Sequence, residues 1–298
     1  MAGGTGFVGA GVVRALDDAG HAIAVLSRDP ASVRRRFPNR AIEGRRGDVT
    51  RPGTLEPALA GVGTVVLCVQ FAGSPVEAPR RGRTFLDVDA AGTRAVAAAA
   101  RRAGVERLVY VSGVGANLAS DRPWYRAKGI AEAAVAESGL AYAIVRPSWI
   151  YGPEDASLNR LVWLIRRFPW VFPQLGPGTQ RLNPVFIADV SRLLARAARG
   201  ELDGATLEIG GPQILSMDEV IGVAMRVVGK TKPILHVAVP LVKLAAAPLE
   251  FLPGQLLSRA AVDFITQSAV ADNHELLRRF PEFELRPLAD ALTRYAAL

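Results

Sequence analysis

Gly3-Gly4-Thr5-Gly6-Phe7-Val8-Gly9 stands at the head of the chain, and its reading decides the fold. Glycines 3, 6 and 9 recur at every third position and run into an apolar stretch, residues 9–19, that reads as a helix closed by Gly20. Such a pattern meets three demands: a sharp turn, close approach of backbone to phosphate, and tight packing of a helix on a strand. Phosphate then lies at the helix N-terminus, where unpaired N–H groups and the helix dipole attract it. The pattern predicts a phosphate cradle made of Gly3, Thr5, Gly6, Phe7, Val8 and Gly9. A strand should precede the loop, and only Met1 and Ala2 do. That strand is central in a doubly wound sheet. The expectation is therefore that the first strand is missing from this sequence and that the natural start lies about five to eight residues upstream, the length of one strand.

Outward from the loop, β-branched runs alternate with alanine-rich stretches. Residues 22–27, 64–69, 107–112 and 142–146 read as strands. Residues 90–103 and 124–137 read as helices, each with glycine at or near its end, the usual C-terminal cap. This alternation predicts an α/β fold, a doubly wound parallel Rossmann sheet with helices on both faces. After Pro147 the rhythm changes. Residues 153–182 are rich in proline and aromatics around a short helix at 158–167. A helix at 189–198 and a strand at 206–209 follow, and Ser216 with Glu219 forms a capping box for a helix at 217–228. The expected organisation is a dinucleotide domain over 1–152, completed by 183–212, with 153–182 and 213–298 as a smaller C-terminal cap or substrate region.

The chain has 298 residues, half of them hydrophobic, enough for a full core. Its one cysteine, Cys68, lies in an apolar run and reads as a core residue; no intrachain disulfide can form, which fits a reducing cytoplasm. The three histidines show no ligand spacing, so no metal is expected. The net charge is +8 and arginine carries nearly all of the positive charge. Its clusters read as solvated faces or as local attraction for a phosphorylated cofactor. No aromatic interleaving or reader motif accompanies them, which argues against nucleic acid as a partner. No run reaches the ~18 apolar residues of a membrane span. The stretch 241–252 is apolar but interrupted by Lys243, Pro248 and Glu250; it reads as a buried cap helix or as a peripheral contact with a membrane or membrane complex.

Cofactor choice is read at the end of the second strand. An acidic residue there would hold the ribose 2′-hydroxyl of NAD. This chain has Ser27-Arg28, with Arg34 to Arg36 close behind. Arginine at this place neutralises a 2′-phosphate, so NADP is favoured, with NAD as the alternative. Asp48, followed by Val49, could accept from the adenine amino group.

Taken in order, the glycine loop, Gly47-Asp48-Val49, Tyr110-Val111-Ser112-Gly113, Arg126-Ala127-Lys128-Gly129, Arg146-Pro147, Tyr151-Gly152-Pro153 and Pro184-Val185-Phe186 with Asp189-Val190 form a recognisable set. The chain resembles the extended and atypical short-chain dehydrogenase/reductases of the NAD-dependent epimerase/dehydratase kind. It is most similar to NmrA-like proteins and to relatives of the 39-kDa accessory subunit of respiratory complex I. The resemblance implies further cofactor contacts at Val69, Pro147 and Lys128. It also implies a catalytic set of Tyr-x-x-x-Lys with an upstream hydroxyl. The lysine lowers the tyrosine pKa and binds the nicotinamide ribose, and the tyrosine exchanges a proton with the substrate oxygen. Lys128 and Ser112 match. Trp124 stands where the tyrosine belongs, and an indole N–H does not transfer protons near neutral pH. Tyr125, three residues before Lys128, shares a helix face with it and is the replacement candidate.

Two functions follow from this reading. One is an NADP(H)-binding protein with little turnover, serving as a sensor, assembly factor or accessory subunit. The other is a working NADPH-dependent oxidoreductase or epimerase on a small or lipid-like substrate, with Trp163, Phe168, Trp170 and Phe172 lining an apolar pocket.

Overall fold

The computed structural model describes residues 1–71, 75–246 and 259–296. Its main sheet has six strands: β1 (Ala24–Ser27), β2 (Glu43–Arg46), β3 (Thr64–Leu67), β4 (Arg107–Val111), β5 (Ala141–Pro147) and β6 (Ala205–Ile209). All pairings are parallel, with Val25 opposite Gly44, Val66 opposite Val109, Val109 opposite Ala143 and Val145 opposite Leu207. Between β1 and β3 lie Met1 and Ala2. The Ala2 N–H donates to the Val66 carbonyl, its carbonyl accepts from Cys68, and the Met1 carbonyl accepts from Leu26. The place expected for a strand ahead of the glycine loop is thus taken by two bridging residues. The spatial order is β2-β1-(Met1–Ala2)-β3-β4-β5-β6, the doubly wound arrangement that puts a ligand crevice at the strands' carboxyl ends.

Helices cover both faces. On one, α1 (Phe7–Asp18) lies beside a helix at Ile187–Ala198, burying Val12, Val13, Leu16, Leu193 and Leu194 against the sheet. On the other, Gly92–Arg102 and Pro123–Ala136 bury alanine-rich faces, with Ala99, Ala100, Ala127 and Ala131 fully enclosed. Small side chains bring these two helices close to the strands. Gly104, at φ +72°, ends the first of them in the left-handed conformation that suits glycine.

Residues 153–182 and 213–228 build a smaller lobe. Helices Ala156–Arg167, Met217–Val227 and Leu288–Ala296 share a separate core containing Leu158, Ile165, Val220, Ile221 and Leu292. The Ser216–Glu219 capping box is present. Short strand pairs tie this lobe together, among them Phe172–Leu175 with Ile234–Val237. Phe280 and Phe283 return to the main core, beneath Arg196 and Arg192. At the lobe's edge Glu154 accepts from Arg14 of α1 at 2.7 Å and from Arg36.

Two features differ from the sequence reading. The polar segment Glu43-Gly44-Arg45-Arg46 is a strand, β2, although nothing in it alternates; it lies at the sheet edge and needs no apolar face. The helix expected at 90–103 starts earlier, as a π-helical turn over Phe85–Ala91 that continues into Gly92–Arg102. Thr84 caps that turn by accepting from the Asp87 N–H.

Candidate functional site

The glycine loop crosses from Ala2 to α1 at the carboxyl end of the sheet, and its glycines 3, 6 and 9 differ in what surrounds them. Gly3 has φ +80°, and a Cβ there would lie 2.6 Å from the Cys68 carbonyl oxygen. A Cβ on Gly9 would lie 2.2 Å from the Gly3 carbonyl oxygen. Both positions are therefore closed by the fold itself. Gly6 is different. It is the N-cap of α1, exposed, and a Cβ on it would meet only the Gly3 carbonyl oxygen at 3.4 Å. No side chain caps α1 and its first turn holds no acid. The open space over Gly6, next to uncapped amides, fits an anionic pyrophosphate.

At the end of β1, the Ser27 hydroxyl is held by Ser32 and by the Asp29 carbonyl. Asp29 caps the helix Pro30–Arg36 and pairs with Arg35 at 2.6 Å. The Arg35 bond holds its carboxyl below the usual range. Arg36 pairs with Glu154. Of the arginines read as phosphate partners, Arg28 and Arg34 are exposed with no ion-pair partner among the described residues, whereas Arg35 and Arg36 are engaged. Asp48 Oδ1 accepts from the Thr50 N–H and hydroxyl, and Val49 is buried against Gly92.

A cleft of about 400 Å³ opens from the loop along the ends of β3, β4 and β5. Phe7, Val8, Val69, Ser112, Lys128 and Pro147 all face it, so the structure brings these six sequence-predicted positions together. Trp124 and Tyr125 also line it. Neither carboxylate nor imidazole does so among the described residues. Cys68 does, and burial pushes its thiol up to about 12.

Lys128 is 5% exposed. Its Nζ lies 3.3 Å from Asp89 Oδ1, donates to the Val111 carbonyl at 3.3 Å, and sits 5.1 Å from the Tyr110 ring centre. Burial works against its charge, but Tyr110 and Asp89 outweigh it and hold the ammonium protonated. Asp89 comes from the π-helical turn and is wholly buried. Burial pushes its carboxyl up, and Lys128 pulls it back. Asp89 and Tyr110 were not among the sequence candidates. Asp89→Asn should cost about 3 kcal/mol of stability, since a buried ammonium loses its counter-charge while the amide still offers an oxygen. Urea unfolding measures this; an unchanged midpoint would show that the pair is not a structural charge couple.

Trp124 occupies the floor where the catalytic tyrosine was expected. Its six-membered ring lies against Gly113, where a Cβ would sit 2.6 Å from Cη2. Tyr125 and Phe264 meet it edge-on, with ring centres at 4.7 and 5.3 Å. Its Nε1 is buried without a hydrogen-bond acceptor, as is the Ser112 hydroxyl. The Tyr125 ring packs on Gly115. Burial pushes that phenol up, against the pull of Arg122. The described residues of the site thus offer hydrogen-bond donors and a fixed cation at Lys128.

The aromatic pocket read from residues 163–172 is corrected by the structure. Trp163, Phe168 and Trp170 are exposed, Phe172 is buried in the smaller lobe's core, and none lines the cleft. The apolar walls come instead from Trp149, Leu182, Met217 and Phe264. In the stretch 241–252, Leu241 is exposed on the helix Val239–Ala246, and residues 247–252 lie outside the described residues.

Residues 3–162 match the family described as NAD(P)H-binding. The chain is 27% identical over 195 residues to the mitochondrial NADH dehydrogenase [ubiquinone] 1 alpha subcomplex subunit 9 of Arabidopsis thaliana, covering 62% of this chain and 48% of that protein. It thus spans about half of that relative's length. It is 28% identical over 244 residues to the NAD(P)H azoreductase of Xenophilus azovorans, covering 81% and 77%. The fold matches the NADPH-dependent quinone oxidoreductase of Escherichia coli, solved with NADPH, at a TM-score of 0.77 and 20% identity over 98% of each chain. The likeness to extended short-chain dehydrogenases read from the motifs agrees with all three.

Proposed function

Because the chain belongs to the NAD(P)H-binding family, we propose that it holds NADP(H) along this cleft, reduces ordinary carbonyl compounds poorly, and acts as a sensor or accessory protein. In this reading Gly3, Thr5, Gly6, Phe7, Val8 and Gly9 cradle the pyrophosphate. Ser27 and Arg28 face the 2′-phosphate, Asp48 and Val49 the adenine, and Val69, Lys128 and Pro147 the nicotinamide half. When bound, the nicotinamide supplies hydride transfer. Residues 1–152 with 183–212 hold the cofactor, and 153–182 with 213–298 close the substrate side. Ser112 and Tyr125 serve as polar contacts for a substrate oxygen.

The observation that carries the proposal is Trp124, four residues before Lys128, with its N–H buried and without a hydrogen-bond partner. The test follows the reduced-nicotinamide absorbance of loaded protein after simple aldehydes and ketones are added. Decay no faster than that of free cofactor supports the proposal; rapid decay with the unaltered chain overturns it. Arg28→Asp tests the cofactor choice. Loss of a charge-assisted bond, with repulsion added, should weaken NADPH by roughly 10- to 100-fold and leave NADH nearly unchanged. Equal losses for both in a titration would remove Arg28 from 2′-phosphate recognition.

A second reading rests on the cleft's largely apolar walls and on the lack of carboxylates among the described residues that line it. These suit a neutral, conjugated or lipid-like substrate of an active NADPH-dependent oxidoreductase. An electron-poor acceptor of the quinone or azo kind needs less acid assistance than a simple ketone, so a Trp124 site could still reduce it. Fast cofactor oxidation by such acceptors, with ketones inert, would favour this second reading.

A further inference from the structure

The helix Ala156–Arg167, whose first turn reaches the cleft at Ser157, buries Leu158, Leu161, Val162 and Ile165 and turns a different stripe outward, away from the cleft lining. That stripe carries Arg160, Trp163 and Arg167, spaced three and four residues apart and all exposed. Phe168, Pro169 and Trp170 follow directly, and Trp170 is 84% exposed. Leu235, 56% exposed, belongs to the neighbouring strand opposite Pro173. Arg160 and Arg167 have no ion-pair partner among the described residues, and from residue 156 to residue 188 the sequence has no acidic side chain. Lys232 bonds the carbonyls of Ile165 and Phe168, fixing the end of the helix from which the aromatic tip projects.

We propose that this face is a docking surface for an anionic lipid bilayer. Tryptophan has an apolar ring and one N–H donor, the combination that settles at a membrane interface. Unpaired arginines beside it answer lipid phosphates, and the segment 156–188 contributes no acid of its own to repel an anionic leaflet. A protruding tip of Phe168, Pro169 and Trp170 suits insertion between headgroups. Among the described residues no helix is long and apolar enough to cross a membrane, so the contact is peripheral. The site is separate from the cleft, and the inference stands whether or not the cofactor reading does.

Flotation of the full chain with vesicles tests it. Vesicles of equal parts phosphatidylcholine and phosphatidylglycerol should carry the protein upward, and vesicles of phosphatidylcholine alone should not. Arg160→Glu with Arg167→Glu should lower the affinity roughly 30-fold or more, given the usual contribution of each basic residue near an anionic surface. Trp163→Ala with Trp170→Ala should also release the protein. All four side chains are exposed, so circular dichroism and thermal midpoint should match the unaltered chain. Absence of flotation, or partition into neutral vesicles that ignores the arginine reversal, overturns the proposal. So does a lipid-free dimer that the tryptophan changes dissociate, since the face would then serve a second copy of the chain.

Discussion

Trp124→Tyr is expected to raise carbonyl reduction by the cofactor-loaded protein by ~10²–10⁴-fold, the usual contribution of a positioned acid. The change restores a phenol one helical turn from Lys128, whose protonated ammonium favours the phenolate. Tyrosine is smaller than the indole it replaces, and Gly113 and Phe264 already leave room for the larger ring. Tyr125→Phe is the companion variant and should lower turnover by only roughly 2- to 10-fold, the loss of one neutral hydrogen bond to a substrate oxygen and not of a proton donor. If Tyr125→Phe abolishes a robust activity of the natural sequence, Tyr125 is the proton donor and the site is not impaired. If Trp124→Tyr gains nothing while cofactor still binds, the protein's role lies in binding and not in reduction.

Gly6→Val should remove cofactor binding and leave the fold intact. Gly6 has φ −75° and ψ 173°, extended backbone that valine adopts freely, and its Cβ direction is open but for one carbonyl oxygen at 3.4 Å. The added isopropyl group would fill the space over the α1 amides. Loss of two charge-assisted hydrogen bonds at ~1.5–3 kcal/mol each predicts affinity lower by roughly 10²–10⁴-fold. Gly9→Ala provides the contrast. Its methyl group would strike the Gly3 carbonyl, so that variant should lose stability as well as binding. Calorimetric titration with NADPH, paired with thermal melts, separates the two. Retained affinity in folded Gly6→Val would detach the loop from pyrophosphate recognition.

The parts of this molecule that sequence made legible are those whose physics is local. The glycine loop, the cap at Gly104 and the Ser216–Glu219 box each depend on residues a few positions apart. The parallel strands show because buried strands need continuous apolar runs. β2 escaped because an edge strand of Glu43-Gly44-Arg45-Arg46 has no such need. Asp89 escaped for another reason. In Phe85-Leu86-Asp87-Val88-Asp89 two acids alternate with apolar residues, and nothing local tells which one turns inward. The π-helical turn decides it, and Lys128, Asp89's partner, lies 39 positions along the chain. The aromatic-rich segment was legible in composition but not in direction. Arg160, Trp163 and Arg167 share one face of a helix, and that spacing was the available sign that Trp163 points to solvent and not into a pocket.

The placement of the tryptophans has an optical consequence. The chain has four. Trp124 and Trp149 stand on the walls of the cleft, Trp149 fixed there by its bond to the Ser157 hydroxyl, while Trp163 and Trp170 stand in solvent on the smaller lobe. Intrinsic emission from the protein therefore divides into two populations with separate surroundings. The cleft pair lies within energy-transfer range of anything bound between its walls. The outer pair responds to quenchers added to the solvent. Ligand occupancy and surface contact can be read from the same unlabelled protein, one through each pair.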